Sequence, residues 1–191
     1  VITSSSAQEG KTISVENLGI ALMSLGHKVC LIDFDNINYD LSANFHKAKD
    51  FTDASSKDFN KNGLELTTKN KETLLGEDFA MCESKLDELK TYYDFIIIDT
   101  SPTAISIKPV QLMKLADLNL YVIKVNFTAI SYISNVDLLV EEYGLNNTHF
   151  LLTNTHKATN YSGNIIGSGF ASKSRNKGFI NKIKQYINYY L

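Results

Sequence analysis

The sequence predicts an α/β fold in three layers, with a doubly wound, mostly parallel sheet between helices. Three observations carry that expectation. Strand-sized apolar runs alternate with segments of helical periodicity along the 191 residues, the β-α-β order of parallel sheets. The runs are continuously apolar, as strands covered on both faces require. Acidic residues and a Gly-Lys-Thr turn stand at the ends of these runs, where open α/β sheets collect ligands.

The first element is short. Val1 to Ser4 supplies about three strand residues before a loop, fewer than the usual five or six, and the chain has no initiator Met; the expectation is a piece of something longer. The loop reads Ser5-Ser6-Ala7-Gln8-Glu9-Gly10-Lys11-Thr12. It meets the pattern G-x-x-x-x-G-K-[ST] at Gly10, Lys11 and Thr12, with Ser5 at the first glycine. Amides of such a loop and of the helix start, Ala7 to Ile13, form an anion cavity. The Lys11 ammonium adds charge for β/γ phosphates, and the Thr12 hydroxyl can ligate Mg²⁺. Taken alone, the same residues could form a serine-rich turn capping an ordinary helix. Ser14 to Leu25 follows with Val15, Leu18, Ile20, Leu22 and Leu25 on helical spacing, and Gly26 supplies the stop.

Lys28 to Phe34 reads as a buried strand ending in Asp33-Phe34-Asp35. Phe95 to Ile98 reads as another ending in Asp99, with Leu120 to Val125 and Phe150 to Thr153 as further strands. Glu83 to Tyr92 and Ile130 to Tyr143 have helical periodicity, and Lys108 to Leu115 starts a helix after the Ser101-Pro102 turn. His46 to Lys71 is polar and poorly periodic, so it reads as an irregular surface excursion. Residues 1–156 form the nucleotide-binding domain in this reading. Residues 157–191 form a tail, whose stretch from Lys157 to Gly178 is a polar tether with a reach of roughly 25 Å.

Composition narrows the function classes. With 43% hydrophobic residues and 2 prolines the chain can bury one core. A net charge of -2 gives no general reason to expect nucleic acid as a partner, although Lys157 to Lys184 is locally basic. Cys30 and Cys82 lack neighbouring ligands at metal spacing and read as reduced thiols of a cytosolic protein. The longest apolar runs are strand-sized, too short to span a bilayer. His27, His46, His149 and His156 form no catalytic set by spacing.

The acids suggest the chemistry. Asp99, after Tyr93-Asp94-Phe95-Ile96-Ile97-Ile98, has the placement of an acid that orients Mg²⁺ beside a phosphate loop. Asp33 and Asp35 project to a common side if the strand continues that far, so that one could hold metal while the other accepts a proton; a capping or polar turn would also place two aspartates there. Asn126-Phe127-Thr128 follows the third of these strands on the ligand edge. At the far end Tyr186, Tyr189 and Tyr190 are enriched against 10 tyrosines in 191 residues. Ile180, Ile183, Ile187 and Tyr190 share one helical face there, which leaves docking of a terminal helix open as well as modification.

The combination resembles the catalytic domain of the bacterial tyrosine kinases of capsule and exopolysaccharide synthesis, the BY-kinases. The resemblance covers nearly the whole chain: ITSSSAQEGKT as Walker A, HKVCLIDFD as Walker A′, YDFIIIDTSP as Walker B, and the tyrosine-bearing end. It implies a P-loop fold of the ParA/MinD kind and ATP with Mg²⁺. It implies Lys11, Asp33, Asp35 and Asp99 as catalytic residues, with Asp33 activating a tyrosine hydroxyl and Thr12, Asp35 and Asp99 at the metal. Tyr186, Tyr189 and Tyr190 would be the phosphoacceptors, in a neighbouring subunit. It further implies homo-oligomers such as rings, a transmembrane chain-length regulator in cis or in trans, and a location at the cytoplasmic face of the inner membrane. Ile37 stands where the family usually has arginine, Lys108 where an acid is common, and the segment between Walker A′ and Walker B is short. Related ParA and MinD ATPases carry a signature lysine five positions before the Walker lysine, where this chain has Ser6. A ParA-like ATPase switch and a nucleotide-binding regulator without turnover are the alternatives.

Overall fold

The computed structural model describes residues 1–35, 41, 49–50, 64–68 and 79–154. Strands β1 (Ile2–Ser4), β2 (Val29–Phe34), β3 (Lys49–Asp50), β4 (Leu64–Thr68), β5 (Phe95–Thr100), β6 (Asn119–Lys124) and β7 (Thr148–Thr153) form one sheet. Its order is β3-β4-β2-β5-β1-β6-β7, and every described pairing is parallel. The helices are α1 (Lys11–Ser24), α2 (Phe79–Lys90), α3 (Lys108–Met113) and α4 (Ile130–Tyr143). None of the described helices is long and apolar enough to cross a membrane.

The period of two along each strand sorts the core into layers. Cys30, Ile32 and Phe34 of β2 join Ile98 of β5 and pack with Cys82, Leu86 and Leu89 of α2. The intervening Val29 and Leu31 join Ile2, Ile97 and Val122 and pack with Val15 and Leu22 of α1. Tyr121 and Ile123 of β6 pack with Val110 and Met113 of α3 and Val136 of α4. Helices therefore cover both faces, which is the three-layer arrangement expected from the continuous apolar strands.

One reading needs correction. The segment from His46 to Lys71 contains β3 and β4, which extend the sheet beyond β2. Leu64-Glu65-Leu66 is short and stands between Gly63 and Thr67, so its local pattern is weak for a strand; parallel pairing with β2 supplies what the pattern lacks. Ile20 is 46% exposed although it shares the periodicity of α1. The α1 stripe that meets the sheet is Val15, Gly19 and Leu22, with Leu18 partly buried. Ile37, the tail and Tyr186, Tyr189 and Tyr190 lie outside the described residues.

At Gly19 α1 lies close on the sheet. A β-carbon there would stand 2.8 Å from Leu31 Cδ2 and 3.3 Å from Leu31 Cδ1, and Leu31, itself fully buried, would have to shift. Overpacking of this kind costs about 1–3 kcal/mol, against a helix-propensity gain of about 1 kcal/mol. Gly19→Ala should lower stability by about 1 kcal/mol in urea denaturation. A variant as stable as the parent would show that the contact relaxes freely.

Candidate nucleotide site

Because all described strands run parallel, the segments following β1, β2, β5, β6 and β7 emerge at one sheet edge. Strand order places β1 between β5 and β6, with β5 beside β2. The phosphate loop thus rises between the tip bearing Asp99 and the tips of β6 and β7, and Asp33 pairs in register with Asp99. This is the switch-point geometry that binds ligands in doubly wound sheets.

The loop is held from below and from both sides. Ser5, at the position of the missing glycine, is buried and has no positive φ. Its hydroxyl lies 3.1 Å from the Tyr121 hydroxyl, which is 2.6 Å from Thr103 Oγ1. Thr103 N–H donates to the Ser4 carbonyl at 2.8 Å. A serine serves here because the backbone conformation does not demand glycine and the side chain gains a partner. Gly10 is different. Its φ is +100°, and a β-carbon would come within 3.3 Å of Thr153 Cγ2, so both conformation and space call for glycine. Gly10 also caps α1, with no side-chain cap hydrogen bond, which leaves the helix start available to an anion.

Lys11 is buried, and its ammonium donates to Ser4 Oγ at 3.1 Å. Thr12 Oγ1 donates to Asp99 Oδ2 at 2.7 Å. The other oxygen, Asp99 Oδ1, is buried without a hydrogen-bond partner. Asp33 and Asp35 are 2% and 3% exposed, and the Asp35 N–H donates to Asp33 Oδ1 at 3.0 Å. Ser101 Oγ donates to Asp35 Oδ1 at 3.2 Å. Burial pushes the Asp99 carboxyl up to about 7, opposed by the Thr12 hydrogen bond and Lys11 and reinforced by Asp33 and Asp35.

An orphaned carboxylate oxygen beside two further acids, Asp33 and Asp35, is the environment a divalent cation relieves. The residues fit Mg²⁺: Thr12, Asp35 and Asp99 offer hard oxygens, and a few protein ligands suffice where phosphate and water complete the shell. Among the described residues no three His, Cys, Asp or Glu side chains form a metal cage of their own.

Of the residues selected from sequence, Lys11, Thr12 and Asp99 meet around the loop, with Asp33 and Asp35 at the adjoining tip. Ala7 and Ile13 belong to the loop and helix start, and Ile13 and Gln8 face outward. Sequence reasoning missed the support: Ser4, Ser101, Thr103, Tyr121, Lys124 and Thr153. For all but Tyr121, which lies within β6, the sequence signal is a place at or near a strand end.

Residues 1–150 match the family model described as "MipZ: ATPase MipZ". The chain belongs to the MipZ ATPase family. It is a P-loop ATPase of the MinD/ParA/MipZ kind, with ATP as its nucleotide. No curated protein matches it. Among solved structures, the kinase domain of Escherichia coli tyrosine kinase ETK is 18% identical, with a TM-score of 0.65 over 85% of this chain and 71% of that one. The VpsO kinase domain is 23% identical, with a TM-score of 0.62 over 79% and 80%. The MinD cell division protein of Aquifex aeolicus is 26% identical, with a TM-score of 0.62 over 79% and 66%. The two kinase domains share the fold with this ATPase.

The Asp99 shift has a consequence for stability. Between its ordinary value of 3.8 and about 7, the folded ATPase keeps a proton that the unfolded chain has released. This contribution is fully present below the lower value and is lost as pH rises through the upper one. In metal-free protein, Asp99→Asn should therefore show a smaller loss of stability than the parent as pH rises across that window, measured by urea denaturation. Parallel pH profiles would contradict it.

Proposed function

We propose that this P-loop ATPase is a protein-tyrosine autokinase, which passes the γ-phosphoryl group of ATP to tail tyrosines of a neighbouring copy. Tyr186 and Tyr189 are the favoured acceptors, ahead of Tyr190. The observation that carries this reading is Ser6. Where ParA and MinD loops hold their signature lysine, this loop has a small hydroxyl residue whose N–H donates to Glu9 Oε2 at 2.8 Å, so Lys11 is the only cation of the loop.

In this reading the amides from Ala7 to Ile13 hold the phosphates, Lys11 adds charge at the β/γ positions, and Thr12, Asp35 and Asp99 hold Mg²⁺. When bound, Mg²⁺ supplies neutralisation of the phosphate oxygens. Asp33 takes the proton of the attacking tyrosine hydroxyl. The register of Asp33 beside Asp99, at the strand tips next to the loop, supports this role. Positioning and charge do most of the work, as in phosphoryl transfer generally. The same reading puts the chain in bacterial polysaccharide synthesis and export, at the cytoplasmic face of the membrane through an upstream anchor or partner.

A second reading is an ATPase switch, in which hydrolysis changes assembly and no protein is phosphorylated. The family match and the MinD likeness favour it, and on the comparisons alone it is the better supported of the two. Purified chain incubated with labelled ATP and Mg²⁺, with and without its upstream activator segment, separates the readings. Phosphotyrosine on the tail supports the kinase; phosphate release without phosphotyrosine replaces it with the switch. In either case Lys11→Met should reduce turnover by about 10²–10³-fold, the usual loss for a positioned electrostatic group, with the thermal transition retained. Undiminished turnover would remove Lys11 from the site.

A further inference from the structure

Glu9 lies inside the phosphate loop and is fully buried (0% exposed). A carboxylate there works against binding a triphosphate, because like charges repel more strongly away from water. Its contacts show what it provides instead. Oε2 accepts the Ser6 N–H at 2.8 Å, and Oε1 accepts the Thr128 hydroxyl. The Glu9 carbonyl accepts Thr153 Oγ1 at 2.7 Å, and the preceding Gln8 carbonyl accepts Lys124 Nζ at 3.0 Å. Gln8 itself sits at φ +63°, a left-handed conformation uncommon for a side-chain-bearing residue.

The side-chain oxygens thus join the start of the loop to the segment between β6 and α4, while the backbone on either side is tied to the ends of β6 and β7. Such an arrangement fixes the loop before any ligand arrives, so that less ordering is left for the binding step. We propose that Glu9 is a positioning residue: its two oxygens, through Ser6 and Thr128, hold the phosphate loop in its binding shape. What matters is the pair of hydrogen bonds, and the charge is a cost that the loop tolerates. The inference concerns nucleotide binding and is independent of whether tyrosine or water accepts the phosphoryl group.

Glutamine separates bond from charge. Its carbonyl oxygen can accept the Ser6 N–H and its amide can donate to the Thr128 hydroxyl, which both donates and accepts. Calorimetric titration of the whole chain with a non-hydrolysable ATP analogue and Mg²⁺ would compare the parent, Glu9→Gln and Glu9→Ala. Binding of the Gln variant within about threefold of the parent, or tighter, is expected, with the Ala variant weaker by about tenfold. An Ala variant within about threefold of the parent, or a Gln variant as weak as Ala, would overturn the assignment. Should Glu9→Ala fail to fold by its thermal transition, Thr128→Val takes its place. It removes one bond and leaves the charge, with about threefold weaker binding expected and unchanged affinity overturning the proposal.

Discussion

The hydrogen bond from Thr12 to Asp99 joins the start of α1 to the tip of β5, and the nucleotide site is organised around it. It fixes one carboxylate oxygen and leaves the other buried and bare. The bond is possible because β1 is inserted between β5 and β6, which brings the first helix of the chain over a strand nearly ninety residues later. Asp33 and Asp35 add like charge from the neighbouring tip. A cation and a polyphosphate would balance one another beside these acids.

Support of the loop follows a different logic from the chemistry. Amides that are to meet phosphate have to remain available, so rigidity has to come from groups on the other side of the backbone. Tyr121 and Thr103 brace Ser5 from beneath, and Thr128, Thr153 and Lys124 brace Gln8 and Glu9 from the flank. The substitution of serine for the first loop glycine fits this scheme, since the hydroxyl gains a buried partner where no left-handed backbone is required. Gly10 permits no such exchange, because Thr153 occupies the space where a side chain would begin.

The coarse chemistry was readable because it is local. Gly10-Lys11-Thr12 needs only sequence neighbours to be recognised, and Asp99 stands directly after four apolar residues that declare a buried strand. The segment Leu64–Thr68 reads locally as a short apolar piece of an irregular excursion, because two leucines carry little periodic signal; it is a strand by virtue of pairing with β2. Tyr121 read simply as an apolar strand residue. Its hydroxyl role depends on Ser5 and Thr103, which are distant in sequence and meet it only when β6 lies beside β1.

The sequence by itself determined the α/β class, the phosphate loop and the acids that belong with it, because hydrophobic period and loop chemistry are encoded among adjacent residues. Tertiary structure alone decided the strand order, the two strands beyond β2, the bare oxygen of Asp99 and the enclosure of Glu9. Each of these depends on which strands lie side by side, and parallel pairing joins residues that no local pattern connects.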